Sequence, residues 1–190
     1  MRRRIPVLAT GVVLVAVGIM ISLGFWQLRR LHEKEALLAH YAAARGLAAE
    51  IAWTAKGVDE NQLYRRARLT CSAVTGHSSI AGRSRAGDLG MAQTADCTLP
   101  DGVTARVVLG WSRQPNAAAH WRGGEVRGII APGPRLVADP ALGGLEANAI
   151  PDPSEIPNNH LSYAVQWFLF AATALVIYAL ALMKRGPSAS

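Results

Sequence analysis

The sequence of 190 residues lacks the local patterns that mark the common catalytic and cofactor sites. It contains no G-x-S-x-G, no H-E-x-x-H, no phosphate-binding P-loop and no G-x-G-x-x-G. Because no nucleophile and base stand in a recognisable arrangement, an enzyme is not expected. His77 and His120 have no histidine, cysteine or carboxylate pair close by, and are predicted to be solvated histidines in surface loops.

Cysteine is also scarce, since the chain has only Cys71 and Cys97. The two residues form neither a C-x-x-C redox motif, nor a zinc pattern, nor a C-x-x-C-H haem attachment site. An oxidising compartment would permit one disulfide between them. Two small buried apolar residues are the other interpretation, and the sequence leaves both open.

Acidic residues are few, with 13 Asp and Glu against 20 Lys and Arg, which gives a net charge of +7. A nucleic-acid partner is nevertheless not expected, because the basic residues form no dense basic helix. Five of them flank the two apolar segments described next. A mildly basic domain beside the anionic headgroups of a lipid membrane accounts for the rest.

Charge is absent from two long apolar segments, Pro6–Leu28 and Leu161–Met183, each of 23 residues. As helices, each would span ~34 Å, enough to cross a hydrocarbon core of about 30 Å. The first segment is predicted to be an uncleaved anchor and not a signal peptide, because it is long and no small-x-small cleavage site follows it. Trp26 at its end is typical of an interfacial anchor.

The flanking charges predict the orientation. Arg2, Arg3 and Arg4 precede the first segment and Lys184 and Arg185 follow the second, so both termini are predicted to be cytoplasmic. No transit-peptide-like stretch comes first, which favours a bacterial inner membrane. The predicted organisation is a cytoplasmic tail (1–5), a transmembrane helix (6–28), a periplasmic domain (29–159), a second transmembrane helix (160–183) and a cytoplasmic tail (184–190).

The periplasmic domain is predicted to begin with a stalk helix over Leu31–Ala49 and to continue as a β-rich core. Gly76–Gly90 is rich in Gly, Ser and Arg and is predicted to be a long loop or an irregular sheet edge. The predicted strands are Leu63–Ala73, Met91–Leu99, Val103–Trp111, Glu125–Ile130 and Leu136–Ala138. The fold class is therefore a membrane protein of the α+β type, in which two transmembrane helices flank a mainly antiparallel β domain.

The start of the second helix carries a candidate site. After Pro157, the residues His160, Ala164, Trp167 and Ala171 recur at i, i+4, i+7 and i+11 and share one helix face. Tyr163 lies beside that face. On the first helix, a face of small residues is predicted to pack against a partner helix, and consists of Gly11, Gly18 and Ser22.

The outer end of the first helix holds Trp26, Arg29 and Arg30, which two antiparallel helices would bring to the depth of His160. An imidazole, aromatic rings and two cations suit a haem, with iron on the histidine and propionates on the arginines. An interfacial belt of aromatic and basic residues, common to many membrane helices, is the alternative.

Two motifs resemble the signatures of the SURF1 family. Trp26–Lys34 resembles its W-Q-L-x-R-L-x-x-K motif, and Pro157–Phe168 resembles its N-N-H-L-x-Y-A-x-x-W-F motif. Leu63–Thr70 is similar to the first outer strand of the family. Asp101–Trp111 is similar to its D-G-x-x-x-L-V-N-R-G-W segment, although Val108-Leu109 replaces the N-R pair.

This resemblance implies a non-enzymatic assembly factor of cytochrome c oxidase that assists formation of the haem a site in subunit I. It implies subunit I and other oxidase assembly factors as partners. Members from bacteria are implied to bind haem a through the second-helix histidine, which corresponds to His160. The alternative is a cofactor-free membrane scaffold that stabilises an oxidase assembly intermediate.

Overall fold

The computed structural model describes residues 6–53, 58–115, 117 and 120–184, and divides into two compact units. The helical unit comprises the described parts of residues 1–37 and 157–190, and the sheet unit comprises residues 38–156. The elements are α1 (Val7–Arg45), β1 (Ile51–Ala52), β2 (Arg66–Cys71), β3 (Ala73–Arg83), β4 (Leu89–Thr98), β5 (Thr104–Ser112), β6 (Gly124–Ala131), β7 (Arg135–Ala138) and α2 (His160–Lys184).

Both helices have the character of membrane spans. Among the described residues, α1 and the segment Pro153–Lys184, which contains α2, are long and apolar enough to cross a membrane by length and composition. Their large apolar side chains are mostly exposed, as lipid-facing residues are. The flanking charges at Arg2, Arg3, Arg4 and Arg185 lie outside the described residues, so the orientation derived from them stays a prediction.

The first helix runs without a break over 39 residues, from Val7 to Arg45, and thus continues well past its apolar segment. It ends at a turn that contains Gly46. The predicted stalk is therefore the later part of α1, and it stops four residues before Ala49. Within the sheet unit, Tyr41 of this part packs against Tyr64, with ring centroids 4.9 Å apart.

The sheet has seven strands in the order β1-β2-β6-β7-β5-β4-β3. The pairs β1/β2 and β5/β7 are parallel and the other four are antiparallel, so the predicted α+β class with a mainly antiparallel sheet is confirmed. A hairpin joins β4 and β5, and at its turn Gly102 adopts a φ of 81° that favours glycine. Among buried strand residues, the largest include Leu109, Ile130 and Leu136.

Of the two interpretations of Gly76–Gly90, the sheet edge agrees with the structure for the part up to Arg83, and the long loop is wrong there. Residues Ala73–Arg83 form β3, which pairs with β4 along nearly its whole length at the edge of the sheet. Weak local propensity is overcome because β4 supplies the backbone hydrogen bonds, and because an edge strand tolerates small residues. At Gly82 a Cβ would lie 2.8 Å from the Cβ of Ala92, so the glycine permits this close pairing.

The environment predicted for His77 is also wrong. His77 lies on β3, and both of its ring nitrogens are buried without a hydrogen-bond partner among the described residues. His77 is thus neither in a loop nor fully solvated, because it belongs to strand β3, which was not predicted. His120 lies in a turn and is exposed, as predicted.

The two cysteines form a disulfide between β2 and β4. Cys71 and Cys97 are both buried, with 3% and 0% of their surface exposed. Although β2 and β4 are not neighbours in the sheet order, only Ser72 separates β2 from β3, and β3 pairs with β4 at Ala73 and Thr98, so the end of β2 lies beside Cys97. A backbone hydrogen bond of 2.9 Å from Ser72 N to Thr98 O lies next to the bridge. The structure therefore decides for the disulfide between the two interpretations left open above.

Candidate functional site

The helical unit packs along a regular seam. On each helix the less exposed residues recur at alternating spacings of three and four, which is the 3.5-residue period of two helices that pack side by side. The seam of α1 contains Thr10, Val13, Val17, Met20, Gly24, Gln27 and Leu31. The seam of α2 contains His160, Ala164, Trp167, Ala171, Ala174 and Tyr178.

The seam of α2 is the face on which the sequence placed His160, Ala164, Trp167 and Ala171. Ala164 and Ala171 are buried, with 1% and 3% of their surface exposed, because they are small enough to let α1 approach closely. His160 and Trp167 are half-buried towards the N-terminal end of the same face. The predicted sharing of one face is thus seen in the structure.

The small-residue face predicted for α1 is wrong. A Cβ at Gly11 or Gly18 would meet nothing within 4 Å, and the exposed Ser22 hydroxyl donates to the Gly18 carbonyl of its own helix at 2.8 Å. Gly24 makes the close contact instead, since a Cβ there would lie 2.5 Å from the Phe168 ring. The bulky Phe168 requires a glycine opposite it, and this contact determines which side of α1 packs against α2.

Three pairs of side chains link the helices and set their antiparallel register. The hydroxyls of Thr10 and Tyr178 form a hydrogen bond at one end of the seam. Phe168 packs edge-to-face on Phe25, with ring centroids 5.4 Å apart. At the other end, Nδ1 of His160 lies 2.7 Å from Oε1 of Gln27.

The hydrogen bond between His160 and Gln27 identifies which ring nitrogen of His160 is the donor. An amide oxygen can only accept a hydrogen bond, so Nδ1 carries the proton and donates it to Gln27 Oε1. In a neutral imidazole of that tautomer, Nε2 carries an unshared lone pair. His160 is the first residue of α2, and the carbonyl of Asn159 accepts the hydrogen bond from Tyr163 N that opens the helix.

The other predicted site residues lie on the parts of the two helices that adjoin Gln27 and His160. Trp26 and Tyr163 are 45% and 50% exposed. Trp167 packs edge-on against Phe170, with ring centroids 6.1 Å apart. Arg30 forms an ion pair of 2.5 Å with Glu33 on the surface of α1.

Arg29 is exposed on α1, and the helical repeat gives its direction. At about 100° per residue, Arg29 lies ~160° around the helix from Gln27, whereas Arg30 lies ~60° from it. Both arginines follow Gln27 within one turn, so they lie near the depth of His160. Of the two, Arg30 is turned more towards the side of the helix that faces α2.

Gln27 is a site residue that the sequence-based interpretation did not single out, although it stands inside the Trp26–Lys34 motif. The signal was present, because Gln27 is a polar residue at seam spacing within an uncharged apolar run. The prediction placed the face that packs against α2 at Gly11, Gly18 and Ser22, and Gln27 does not lie on that face. Its partner across the seam only becomes apparent when the two helices are aligned.

The donors present suit a haem better than a bare metal ion. Among the described residues, no group of three or more His, Cys, Asp and Glu side chains could hold a metal ion. A haem iron, in contrast, is already held by four porphyrin nitrogens and needs one imidazole from the protein. His160 has the one imidazole that such a group would need, and aromatic side chains lie on the same parts of the two helices.

Comparison with known families agrees with this organisation. The family model for the SURF1 family matches residues 14–172, which includes most of α1, about half of α2 and all of the sheet unit. The matched range contains Trp26–Lys34 and Pro157–Phe168, the two segments that meet at Gln27 and His160. A search of curated proteins finds no match to the chain. Because the family match covers most of the sequence, the chain belongs to the SURF1 family.

Proposed function

We propose that this protein binds haem a through His160 and assists formation of the haem a site in subunit I of cytochrome c oxidase. SURF1 family membership implies the coarser role, that of a cytochrome oxidase assembly factor. The observation that carries the finer proposal is the hydrogen bond from His160 Nδ1 to Gln27. Because Nδ1 donates this bond, Nε2 is the ring nitrogen that is left to ligate iron.

The remaining candidate residues support binding around that ligand. Trp26, Tyr163 and Trp167 offer aromatic surface for a flat macrocycle. Arg29 and Arg30 offer guanidinium groups that can pair with the propionates of the haem. Haem a supplies the redox-active iron that the oxidase needs, and in this role it is cargo and not a resident cofactor.

The assembly role fits a membrane protein whose sheet unit lies outside the cytoplasm of a bacterial cell. The Cys71–Cys97 disulfide supports this location, because disulfides persist in oxidising compartments such as the periplasm. Together with the cytoplasmic termini predicted from the flanking charges, this gives an inner-membrane protein with a periplasmic domain. Subunit I and other assembly factors are the partners of this proposal.

The test is purification from cells that make haem a, followed by a pyridine haemochrome spectrum. The wild type is expected to carry haem a, and His160→Ala is expected to lose it at unchanged abundance. His32→Ala is the matched control, since His32 is an exposed histidine on α1. An unaltered spectrum in His160→Ala would remove His160 as the ligand. A haem-free wild type that still captures subunit I would favour the scaffold function instead.

A further inference from the structure

We propose that Gln27 is a positioning residue that selects the tautomer of His160 and sets its strength as a ligand. The inference rests on the proposed function, because it concerns the same histidine. It goes beyond it by giving a defined role to the first helix. In this view α1 is not only an anchor but also provides the group that prepares the ligand on α2.

The geometry supports the role directly. Gln27 Oε1 lies 2.7 Å from His160 Nδ1, which is a short hydrogen bond across the seam. Ligating histidines in proteins almost always donate their second ring N–H to an oxygen acceptor, and this partner fixes the tautomer and the orientation of the ring. Both residues are half-buried, so water competes little for the bond.

The packing of the seam determines the side-chain length that is needed at position 27. One turn before Gln27, Gly24 lets α1 approach Phe168 so closely that a Cβ would lie 2.5 Å from the ring. One turn after His160, Ala164 is buried with 1% of its surface exposed. These two small residues fix the separation of the helices beside the hydrogen bond. An asparagine at position 27, one methylene shorter, would not span it.

The neutrality of Gln27 matters for a protein that passes on its cargo. A carboxylate at this place would draw the Nδ1 proton more strongly and make Nε2 a stronger donor to iron. An amide oxygen orients the ring with a weaker pull. Gln27 therefore gives a ligand that is correctly oriented yet weak enough to release haem a to an acceptor.

Another inter-helix bond in the same unit provides a matched control. Thr10 and Tyr178 are hydrogen-bonded across the seam, at the opposite end from His160. Thr10 precedes Gln27 by 17 residues on one helix, a distance of about 25 Å. Thr10→Val therefore removes a polar contact between the helices without touching the imidazole.

The first measurement needs no haem. Histidine-selective ¹⁵N NMR of the haem-free, full-length protein in detergent micelles reports which ring nitrogen of His160 carries the proton, with His160→Ala used to assign the signal. The wild type and Thr10→Val are expected to show the proton on Nδ1. Gln27→Leu and Gln27→Asn are expected to lose this preference. An unchanged tautomer in both Gln27 variants would overturn the proposal.

The second measurement is haem a titration of the same proteins. Loss of such a hydrogen-bond partner weakens metal binding by 10- to 100-fold in other sites, and the same range is expected for Gln27→Leu. Gln27→Glu is expected to bind at least as tightly and to shift the midpoint potential of the iron to more negative values. Thr10→Val is expected to match the wild type in both properties.

The outcomes separate this inference from the proposed function. If His160→Ala binds haem a as the wild type does, the proposed function fails, while the NMR result still decides whether Gln27 sets the tautomer. If His160→Ala loses binding but Gln27→Leu retains full affinity, the positioning role alone is overturned. An equal loss in Thr10→Val would show that any weakening of the helix pair suffices, and would also overturn it.

Discussion

Breaking the disulfide tests how much this cross-link contributes to the stability of the sheet unit. Cys71 and Cys97 are separated by 26 residues in sequence, and they join strands that share no backbone ladder. For a loop of that length, the chain-entropy relation predicts about 3.5 kcal/mol of stabilisation, through a smaller number of unfolded conformations. Because a typical domain has a total stability of about 5–15 kcal/mol, reduction should remove a large part of it.

The assay is urea unfolding of the full-length protein in detergent, followed by tryptophan fluorescence. Trp111 is a reporter within the sheet unit, since only 2% of its surface is exposed in the folded state. The oxidised and reduced wild type have the same sequence, so their difference isolates the covalent bond. A double variant, Cys71→Ala with Cys97→Ala, should unfold at similarly low urea with or without reductant.

Two results would refute this reasoning. The first is a reduced protein whose unfolding free energy lies within about 1 kcal/mol of that of the oxidised protein, because the cross-link would then add little to the sheet. The second is the detection of two free thiols in the unreduced, unfolded protein, because the bridge would then not form. A midpoint change in the double variant on adding reductant would show that reductant acts elsewhere.

Two further substitutions test the sheet unit. In Gly128→Ala, the new Cβ would lie 1.9 Å from a carbonyl oxygen of β7, so the free energy of unfolding should fall by at least about 1–3 kcal/mol in urea titrations. Gly76→Ala is its control, because there the nearest atom is 3.8 Å away, and it should leave stability nearly unchanged. Hydrogen bonds from Ser154 and then Arg45 lower the pKa of Asp152 below its ordinary value near 3.8. A carboxyl whose pKa is lowered on folding stabilises the fold above the unfolded pKa and loses this effect as the pH falls. The gap in urea midpoint between wild type and Asp152→Asn should therefore be full at pH 7, begin to shrink as the pH falls to about 3.8, and vanish below the lowered pKa of the folded protein; a constant gap would contradict the assignment.

The membrane helices were predictable because their signal is local. An uncharged run of 23 residues specifies a membrane helix whatever surrounds it, since every backbone polar group is satisfied within the helix. The face of α2 that carries His160 was also correct, because Pro157 and the 3.5-residue spacing define it within a dozen residues. The paired motifs at the two ends gave the family for the same reason.

The features that were missed depend on partners distant in sequence. The edge strand β3 has weak local propensity and forms because β4 lies alongside it. The side of α1 that faces α2 was predicted wrongly, because Gly11 and Gly18 on one side of the helix and Gly24 on another are all glycines. Only the contact of Gly24 with Phe168 shows which side faces α2. The disulfide stayed undecided because its two cysteines come together only through the pairing of β3 with β4.

The sequence by itself predicted two membrane-spanning helices, a β-rich domain between them, and the position of His160 at the start of the second helix. Each of these follows from residues that are neighbours along the chain. Tertiary structure alone decided that His160 donates its Nδ1 proton to Gln27, 133 residues away. A hydrogen bond across a helix seam depends on rotation, register and separation of both helices, and these are set by packing between them and not by local sequence.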